Sequence, residues 1–288
     1  MKVPMVQMLV RKAISILADK AKAVAPVRIE ESRDFVQAFV RGKHYYCPVC
    51  NHRIWRFDFL PMWFLKAWDE YGYIHSIFTT ETLNIFSYCC PRCGASDRDR
   101  LYALYLKQEF SKIDVTKRYK FIDFGPTLAL AKALRKYKFL NYRTADRFMD
   151  NVDDRVDIAN MPRYKDNSID IFLCSHVLEH VEDDKKAIDE LYRILNPSGW
   201  GIVMVPISLS LSDTYEDASI TTQSDRWKHF GLNDHLRIYS KQGFISRLQE
   251  AGFEVNEFGI DYFGTDVFER DGIHPRSILY VVRKPVSK

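Results

Sequence analysis

The sequence has no long hydrophobic run. Its 288 residues contain no apolar stretch that approaches the roughly 20 residues of a membrane-spanning helix. Residues 1–26 also match a secretory signal poorly, because their apolar run is short, is interrupted by Gln7 and lacks a clear small-residue cleavage site. We therefore expect a cytoplasmic protein that neither crosses a membrane nor is secreted.

Most of the chain also lacks an excess of charge of either sign. The formal net charge is +4. Residues 1–30 account for all of it, with six Lys or Arg against Asp19 and Glu30. Nucleic-acid-binding proteins usually carry a basic face on the folded body. The neutral body of this chain therefore argues against a nucleic-acid partner.

The basic segment at the start has the spacing of an amphipathic helix. Its candidate apolar contacts are Met5, Met8, Leu9, Ile16 and Leu17. We expect a helical arm over residues 1–43 that packs on its own domain or on a partner subunit. The alternative is a peripheral contact of residues 1–30 with the inner face of a membrane.

The cysteines point to metal binding. Without a secretory signal, six cysteines indicate metal ligands or free thiols rather than disulfides. A C-x-x-C spacing lets both thiolates of a turn face one tetrahedral Zn²⁺ ion. The sequence predicts a structural zinc ion, with Cys89 as a possible replacement for Cys90 and buried or redox-active thiols as the alternative. The predicted ligands are Cys47, Cys50, Cys90 and Cys93.

The two cysteine pairs enclose a segment dense in aromatic residues. The 39 residues between Cys50 and Cys90 exceed the spacing of compact zinc fingers, so an insertion must fold between the two halves. We expect a small zinc-ribbon domain over residues 44–98, with the aromatic side chains forming its core. The alternative is that part of the segment overhangs a substrate pocket.

Residues 99–288 alternate between strand and helix patterns, as a parallel sheet requires. The predicted strands are Tyr119–Phe124, Asn141–Ala145, a short one near Val156, Ile169–Cys174 and Gly201–Val205. An antiparallel terminal pair is predicted at Phe253–Ile260 and Ile278–Arg283. Helices are predicted at Leu101–Phe110, Leu128–Tyr137 and Lys241–Ala251.

Four motifs lie at or after these strands: FIDFG (121–125), TADRF (144–148), SHVLEHV (175–181) and RILNPSGW (193–200). Together they resemble class I S-adenosylmethionine-dependent methyltransferases. With CPVC and CPRC in front, the chain resembles a group of bacterial zinc-ribbon methyltransferases. The resemblance implies an α/β, Rossmann-like, seven-stranded and mostly parallel sheet preceded by a four-cysteine zinc ribbon. It also implies S-adenosyl-L-methionine as cofactor and a methyltransferase domain over residues 99–288.

The resemblance also implies where the cofactor binds. A carboxylate after the second strand, here Asp146, would accept hydrogen bonds from the ribose hydroxyls. The usual glycine-rich first loop is reduced to Gly125 alone, which is a departure from the family pattern. The full set of predicted cofactor-binding residues is Asp123, Gly125, Pro126, Asp146, Asp157, Ser175 and His176.

Methyl transfer to a hydroxyl needs a base, and His176 is the best candidate by its position after the fourth strand. Its alternative role is to shape the pocket. His235 is the second predicted catalytic residue. A polar segment after the fifth strand would bind the acceptor, although a loop salt bridge is the alternative role of its arginine. The predicted acceptor-binding residues are Tyr215, His229, Arg237 and Tyr239.

A further pattern, H-x-x-E-H, comprises His176, Glu179 and His180 on a predicted helix. It imitates a zinc-protease motif, but its methyltransferase context argues against that function. A Mg²⁺ site is disfavoured as well, because hard cations prefer oxygen ligands. The pattern therefore predicts capping and structural roles for Glu179 and His180.

We expect S-adenosylmethionine-dependent O-methylation of a small molecule, sugar or glycan. The alternatives are an rRNA or other nucleic-acid methyltransferase that presents RNA on the zinc ribbon, and a zinc-ribbon binding module without catalysis. The neutral body argues against the first alternative, as does the lack of an Asn/Asp-Pro-Pro-aromatic tetrad after the fourth strand.

Overall fold

The structure is a computed structural model that describes residues 45–285. The predicted arm over residues 1–43 lies outside the described residues, as does its expected contact with a subunit or a membrane. The described residues belong to one compact unit, and the predicted division between 44–98 and 99–288 stays a prediction. Within residues 45–285, each helix is too short or too polar to cross a membrane.

The secondary structure alternates between strands and helices for most of its length. In chain order the strands are β1 (Tyr45–Cys47), β2 (His52–Ile54), β3 (Tyr119–Phe124), β4 (Leu140–Asp146), β5 (Asp154–Arg155), β6 (Ile169–Ser175), β7 (Leu195–Met204), β8 (Tyr215–Glu216), β9 (Arg237–Ile238), β10 (Glu254–Phe258) and β11 (Leu279–Arg283). The helices are α1 (Met62–Glu70), α2 (Asp97–Phe110), α3 (Leu128–Leu134), α4 (Asp184–Ile194), α5 (Gln223–Phe230), α6 (Lys241–Glu250), α7 (Ile260–Phe263) and α8 (Thr265–Asp271).

A seven-stranded sheet lies at the centre, in the order β10-β11-β7-β6-β3-β4-β5. β3, β4, β5, β6 and β7 run parallel, and β11 pairs antiparallel with β7 and β10. This is the sheet of class I methyltransferases, so the predicted fold class is confirmed. Because the parallel strands share one direction, their carboxyl ends meet along a single edge, where ligands bind in such sheets.

The apolar strands explain this arrangement. β6 reads IDIFLCS and is buried along almost its whole length, as expected for a parallel strand covered on both faces. β3 likewise buries the four residues from Phe121 to Phe124. β7 begins at Leu195 instead of the predicted Gly201, because Leu195 pairs with Ile169 before a bulge shifts the register.

The aromatic segment differs from the prediction that it forms a core. Phe57 is buried, but Phe59, Trp63 and Phe86 are each more than half exposed. α1 buries none of its side chains completely. The segment instead packs against the polar region after β7, where the Trp68 indole Nε1 donates to the carbonyl oxygen of Gly231 at 2.8 Å.

A buried arginine joins the cysteine-rich part to the sheet domain. Arg100 in α2 is 0% exposed, and its guanidinium lies 3.7 Å from the centre of the Phe57 ring. Its N–H groups donate to backbone carbonyls from three separate segments, and buried carbonyls need such donors. The acceptors are the carbonyl oxygens of Ser87, Tyr88, Ala95, Asp271 and Gly272.

We expect Arg100→Met to lower the free energy of unfolding by about 3–5 kcal/mol, because several buried carbonyls lose their donors at once. Denaturant unfolding measures the loss. The control is Lys185→Met, since Lys185 and its partner Glu250 are 62% and 60% exposed; breaking an exposed pair should cost less than about 1 kcal/mol. Equal losses in the two variants would contradict the structural role of Arg100.

Candidate functional site

A cleft of about 840 Å³ lies at the carboxyl ends of the parallel strands. This volume is in the usual range for small-molecule sites. One side comes from β3, β4 and the segments after them, and the other from the turn after β6 and the segment that follows α5. The residues used below that line the cleft are Gly125, Asp146, Phe148, Met149, Asp157, His176, His180, Arg226, Asp234 and Leu236.

The loop after β3 approaches the turn after β6 very closely. Gly125 has φ of +64°, a conformation that glycine adopts without strain. A Cβ atom at this position would lie 2.8 Å from Cγ2 of Val177. The single glycine of this loop is therefore required by both the backbone conformation and the contact. Pro126 follows it and is partly buried.

Asp123 differs from the prediction that it contacts a cofactor. Its side chain is only 1% exposed and lies behind the cleft wall. The hydroxyl of Tyr142 donates to its Oδ2 atom at 2.5 Å. Burial raises the pKa of Asp123 to about 7, despite that hydrogen bond. Its carboxyl group therefore links β3 to β4 inside the protein.

Asp146 lies at the end of β4 and lines the cleft. Its Oδ1 atom accepts hydrogen bonds from the backbone N–H groups of Phe148 and Met149, at 2.6 and 2.8 Å. Among residues 45–285 no hydrogen bond reaches Oδ2, so this oxygen is available to a ligand. Asp157 lines the cleft as well, but its Oδ2 atom pairs with Arg147 at 2.8 Å.

Phe148 and Met149 were missed by the sequence analysis. Both line the cleft, and their side chains are 77% and 43% exposed. Two solvent-exposed apolar side chains beside the Asp146 carboxylate can pack on a flat, apolar group of a bound ligand. The available signal was the apolar pair Phe148-Met149, which stands two residues after the acid in TADRFMD.

The corner after β6 places one predicted residue in the cleft and one behind it. His176 has φ of +55°, and its backbone N–H donates to the carbonyl oxygen of Met204 at 2.8 Å. This turn directs His176 into the cleft. Ser175 is buried, and its hydroxyl lies 2.8 Å from the hydroxyl of Tyr102, so it contacts the core instead of the cleft.

The predicted helix carrying Glu179 and His180 is a 3₁₀ turn, Leu178–His180. Glu179 is fully buried, and its Oε1 atom lies 3.0 Å from Nδ1 of His176 and 4.0 Å from Nε2 of His235. Burial raises the pKa of Glu179, but the neighbouring histidines outweigh burial and lower it to about 2. The carboxylate is therefore ionised at neutral pH.

Burial, together with the Arg98 guanidinium, lowers the pKa of His176 from its ordinary value, although Glu179 acts in the opposite direction. Burial also lowers the pKa of His235, to about 4. Both imidazoles are therefore neutral at pH 7, and a neutral imidazole can accept a proton. His235 is only 6% exposed and lies behind the cleft wall, next to Glu179.

Arg237 and Tyr239 differ from their predicted role in acceptor binding. Arg237 is 5% exposed; it donates to the carbonyl oxygens of the turn after β6 and pairs with Glu216 at 2.8 Å. Tyr239 is fully buried, and its hydroxyl donates to Asp184 Oδ2 at 2.6 Å. Because their polar groups already have protein partners, these side chains hold the site together.

Tyr215 and His229 bond to each other, with 2.7 Å between the Tyr215 hydroxyl and Nδ1 of His229. The Tyr215 ring also meets the His75 ring edge to face at 5.3 Å. The region after β7 does reach the cleft, but through Arg226, Asp234 and Leu236. No pattern in the sequence distinguished these three residues.

The four predicted metal ligands come together. The Sγ atoms of Cys47, Cys50, Cys90 and Cys93 all lie within 4.8 Å of one another. Sγ of Cys47 is 3.7 Å from Sγ of Cys93, close to the roughly 3.8 Å between sulfurs in a tetrahedron with Zn–S bonds of about 2.3 Å. Cys89 stays outside the cluster, and its thiol lies near the carbonyl oxygen of Cys90. The site therefore fits a zinc ion held by four thiolates.

We expect Gly125→Ala to destabilise the protein more than Gly72→Ala does. Gly72 has nearly the same φ, +65°, but a Cβ there would have no neighbour within 4 Å. Both variants pay the cost of a left-handed alanine, about 1–2 kcal/mol, and Gly125→Ala adds a clash costing about 1–3 kcal/mol. Thermal or denaturant unfolding measures the difference. Equal destabilisation would show that the contact with Val177 is unimportant.

Comparison with known proteins supports a family assignment. The chain is 26% identical over 127 residues to the ubiquinone/menaquinone biosynthesis C-methyltransferase UbiE of Hydrogenovibrio crunogenus, covering 40% of this chain and 50% of that protein. It is 28% identical over 114 residues to UbiE of Escherichia coli O1:K1, covering 35% and 43%. The chain thus spans about half the length of the curated relatives it matches.

Solved structures give a weaker likeness. A SAM-dependent methyltransferase from Archaeoglobus fulgidus is 11% identical, with a TM-score of 0.42 over 67% of this chain and 96% of that one. The citrinin polyketide synthase CMeT domain is 14% identical, with a TM-score of 0.45 over 69% of this chain and 55% of that one.

A family model described as a methyltransferase domain matches residues 95–257. The match covers more than half of the chain and contains the cleft, including Gly125, Asp146 and the turn with His176. It begins after Cys93, so it does not cover the cysteine cluster. The chain therefore belongs to the methyltransferase domain family.

Proposed function

We propose that this protein transfers the methyl group of S-adenosylmethionine to an oxygen atom of a small molecule, sugar or glycan. The observation that carries the proposal is the cleft itself. The Asp146 carboxylate lies at one side of it, and the neutral imidazole of His176 lies at the other. When bound, the cofactor supplies an electrophilic methyl group on a sulfonium. The chain's own residues must bind the cofactor, align the acceptor and remove the acceptor's proton.

The cofactor would lie along β3 and β4. Asp146 has one free carboxylate oxygen, which suits the hydroxyls of a ribose, because a charged acceptor binds a hydroxyl more strongly than a neutral one does. Phe148 and Met149 would cover the adenine ring of the cofactor. Gly125 leaves the backbone of the first loop open to close approach by the ligand.

His176 would act as the base. As the acceptor oxygen takes the methyl group that the cofactor would supply, the acceptor's proton would move to the His176 imidazole. Nδ1 of His176 lies 3.0 Å from the Glu179 carboxylate. With the proton on Nδ1, the nitrogen nearer to that carboxylate, Nε2 would be unprotonated and able to accept the acceptor's proton.

The proposal predicts that S-adenosylhomocysteine stabilises the protein by about 2.7 kcal/mol at 100 times its dissociation constant. Asp146→Asn should abolish most of this stabilisation, because it removes the charge but keeps an oxygen for the N–H groups of Phe148 and Met149. Asp150→Asn is the control, since Asp150 lies in the same loop and its side chain is 87% exposed. Thermal unfolding with and without ligand measures the shift. A well-folded wild-type protein that shows no shift would refute the proposal.

We also propose that the cysteine cluster holds one structural zinc ion. Four thiolates leave no position for a reacting ligand, so the ion would stabilise the β1–β2 hairpin and its junction with α2. Cys90→Ser should reduce bound zinc and destabilise the protein, whereas Cys89→Ser should leave about one zinc per chain. Elemental analysis of the purified variants measures the zinc content. Equal zinc loss in both variants would contradict the assignment.

A further inference from the structure

The buried carboxylate Glu179 has no adequate partner. It is 0% exposed, and neither of its oxygens has a hydrogen bond of acceptable geometry within the described part of the chain. Nδ1 of the neutral His176 lies 3.0 Å from Oε1, but this contact is poorly directed for a hydrogen bond. A buried carboxylate without donors is costly. The arrangement therefore favours a positively charged ligand at this carboxylate.

Two histidines face this carboxylate in the orientation that metal ligands adopt. One nitrogen of His180, one of His235 and a Glu179 oxygen all lie within 4.8 Å of one another. Nδ1 of His235 is 3.2 Å from the carbonyl oxygen of Phe230, and Nδ1 of His180 is 3.3 Å from Asp234 Oδ2. Outer acceptors of this kind hold the Nδ1 proton and orient metal-binding imidazoles.

The outer contacts decide which nitrogen is free. If Phe230 accepts the Nδ1 proton of His235, Nε2 carries a lone pair. That lone pair lies 4.0 Å from Oε1 of Glu179, so two acceptors face each other without a proton between them. A cation between them would bind both. The rings of His180 and His235 meet edge to face with centroids 4.7 Å apart, which brings the second imidazole to the same point.

We propose that Glu179, His180 and His235 bind a divalent transition-metal ion, separate from the zinc proposed at the cysteine cluster. Two imidazoles and one carboxylate suit Mn²⁺, Co²⁺, Fe²⁺ or Zn²⁺ better than Mg²⁺, which prefers oxygen ligands alone. Three protein ligands leave coordination positions open to water or a further ligand.

The site adjoins the cleft. His180 and His176 line the cleft together with Gly125 and Asp146, whereas Glu179 and His235 lie behind its wall. The open positions of the ion would therefore face the acceptor. This role rests on the proposed function: the acceptor would carry two neighbouring oxygen donors, such as adjacent hydroxyls, and a hydroxyl bound to the ion would lose its proton more readily.

The test is calorimetric titration of the zinc-loaded full chain with MnCl₂ and, separately, CoCl₂. We expect about one ion to bind per chain with a Kd below ~1 mM. Glu179→Gln and His235→Ala should weaken binding at least ~100-fold. His274→Ala is the control, since this partly buried histidine lies outside the cluster. This variant should bind the ion as tightly as the wild-type protein does.

The Co²⁺ spectrum of the wild-type protein provides a second measurement that needs no variant. Weak visible absorption bands, typical of Co²⁺ bound by nitrogen and oxygen atoms, would support the proposed site. Intense bands from thiolate-bound Co²⁺ would place the ion at the cysteines and overturn the proposal. Stabilisation by S-adenosylhomocysteine is recorded on the same samples. Stabilisation without binding of either ion overturns the metal site but leaves the methyltransferase proposal standing. Unchanged ion affinity in a folded Glu179→Gln variant overturns the site as well.

Discussion

The contact between the Arg237 guanidinium and the turn after β6 is the interaction on which the candidate site depends. The guanidinium donates to the carbonyl oxygens of Leu178, Val181 and Glu182, and pairs with Glu216. A short 3₁₀ turn leaves several carbonyls without helical partners, and here the hydrogen bonds that they accept are buried or partly buried. One planar group with several donors satisfies them together and so holds the turn in one conformation.

The positions of the functional side chains follow from that turn. It carries Glu179 and His180, begins beside His176 and Val177, and packs against Gly125 of the first loop. The backbone N–H of Leu236 donates to the Glu179 carbonyl at 2.8 Å, which brings His235 against the same carboxylate. Displacement of the turn would therefore alter the base, the proposed ion site and the entrance to the first loop together.

The cysteine-rich part uses the same physical solution at its junction with the sheet domain. Arg100 donates to carbonyls from the segment before the second cysteine pair and from the end of α8. Irregular backbone is normally confined to the surface, because buried carbonyls need donors. Arg100 and Arg237 each supply the donors that such carbonyls need, and long irregular segments can therefore pack on the regular sheet.

Much of the fold could be predicted because its signals are local. The largely apolar segments of β3 and β6, and the order of the motifs after them, predict a parallel sheet and the edge at which Gly125, Asp146 and His176 meet. The C-x-x-C spacing likewise identifies the four clustered cysteines. The less accurate predictions concern polar residues after β7, where Arg237 and Tyr239 have the composition of a binding loop but are buried.

The sequence by itself determined which segments form the parallel strands, the edge of the sheet at which their carboxyl ends meet and which four cysteines cluster. The tertiary structure alone decided that His235 lies beside Glu179 and that Arg237 and Tyr239 face inward. These pairings join residues more than 50 positions apart, such as Arg237 and Glu182 at a separation of 55. Their formation depends on how the segment after β7 folds back over the sheet. Such contacts are stabilised by burial and by the need to satisfy buried carbonyls, and neither factor leaves a periodic pattern in the sequence.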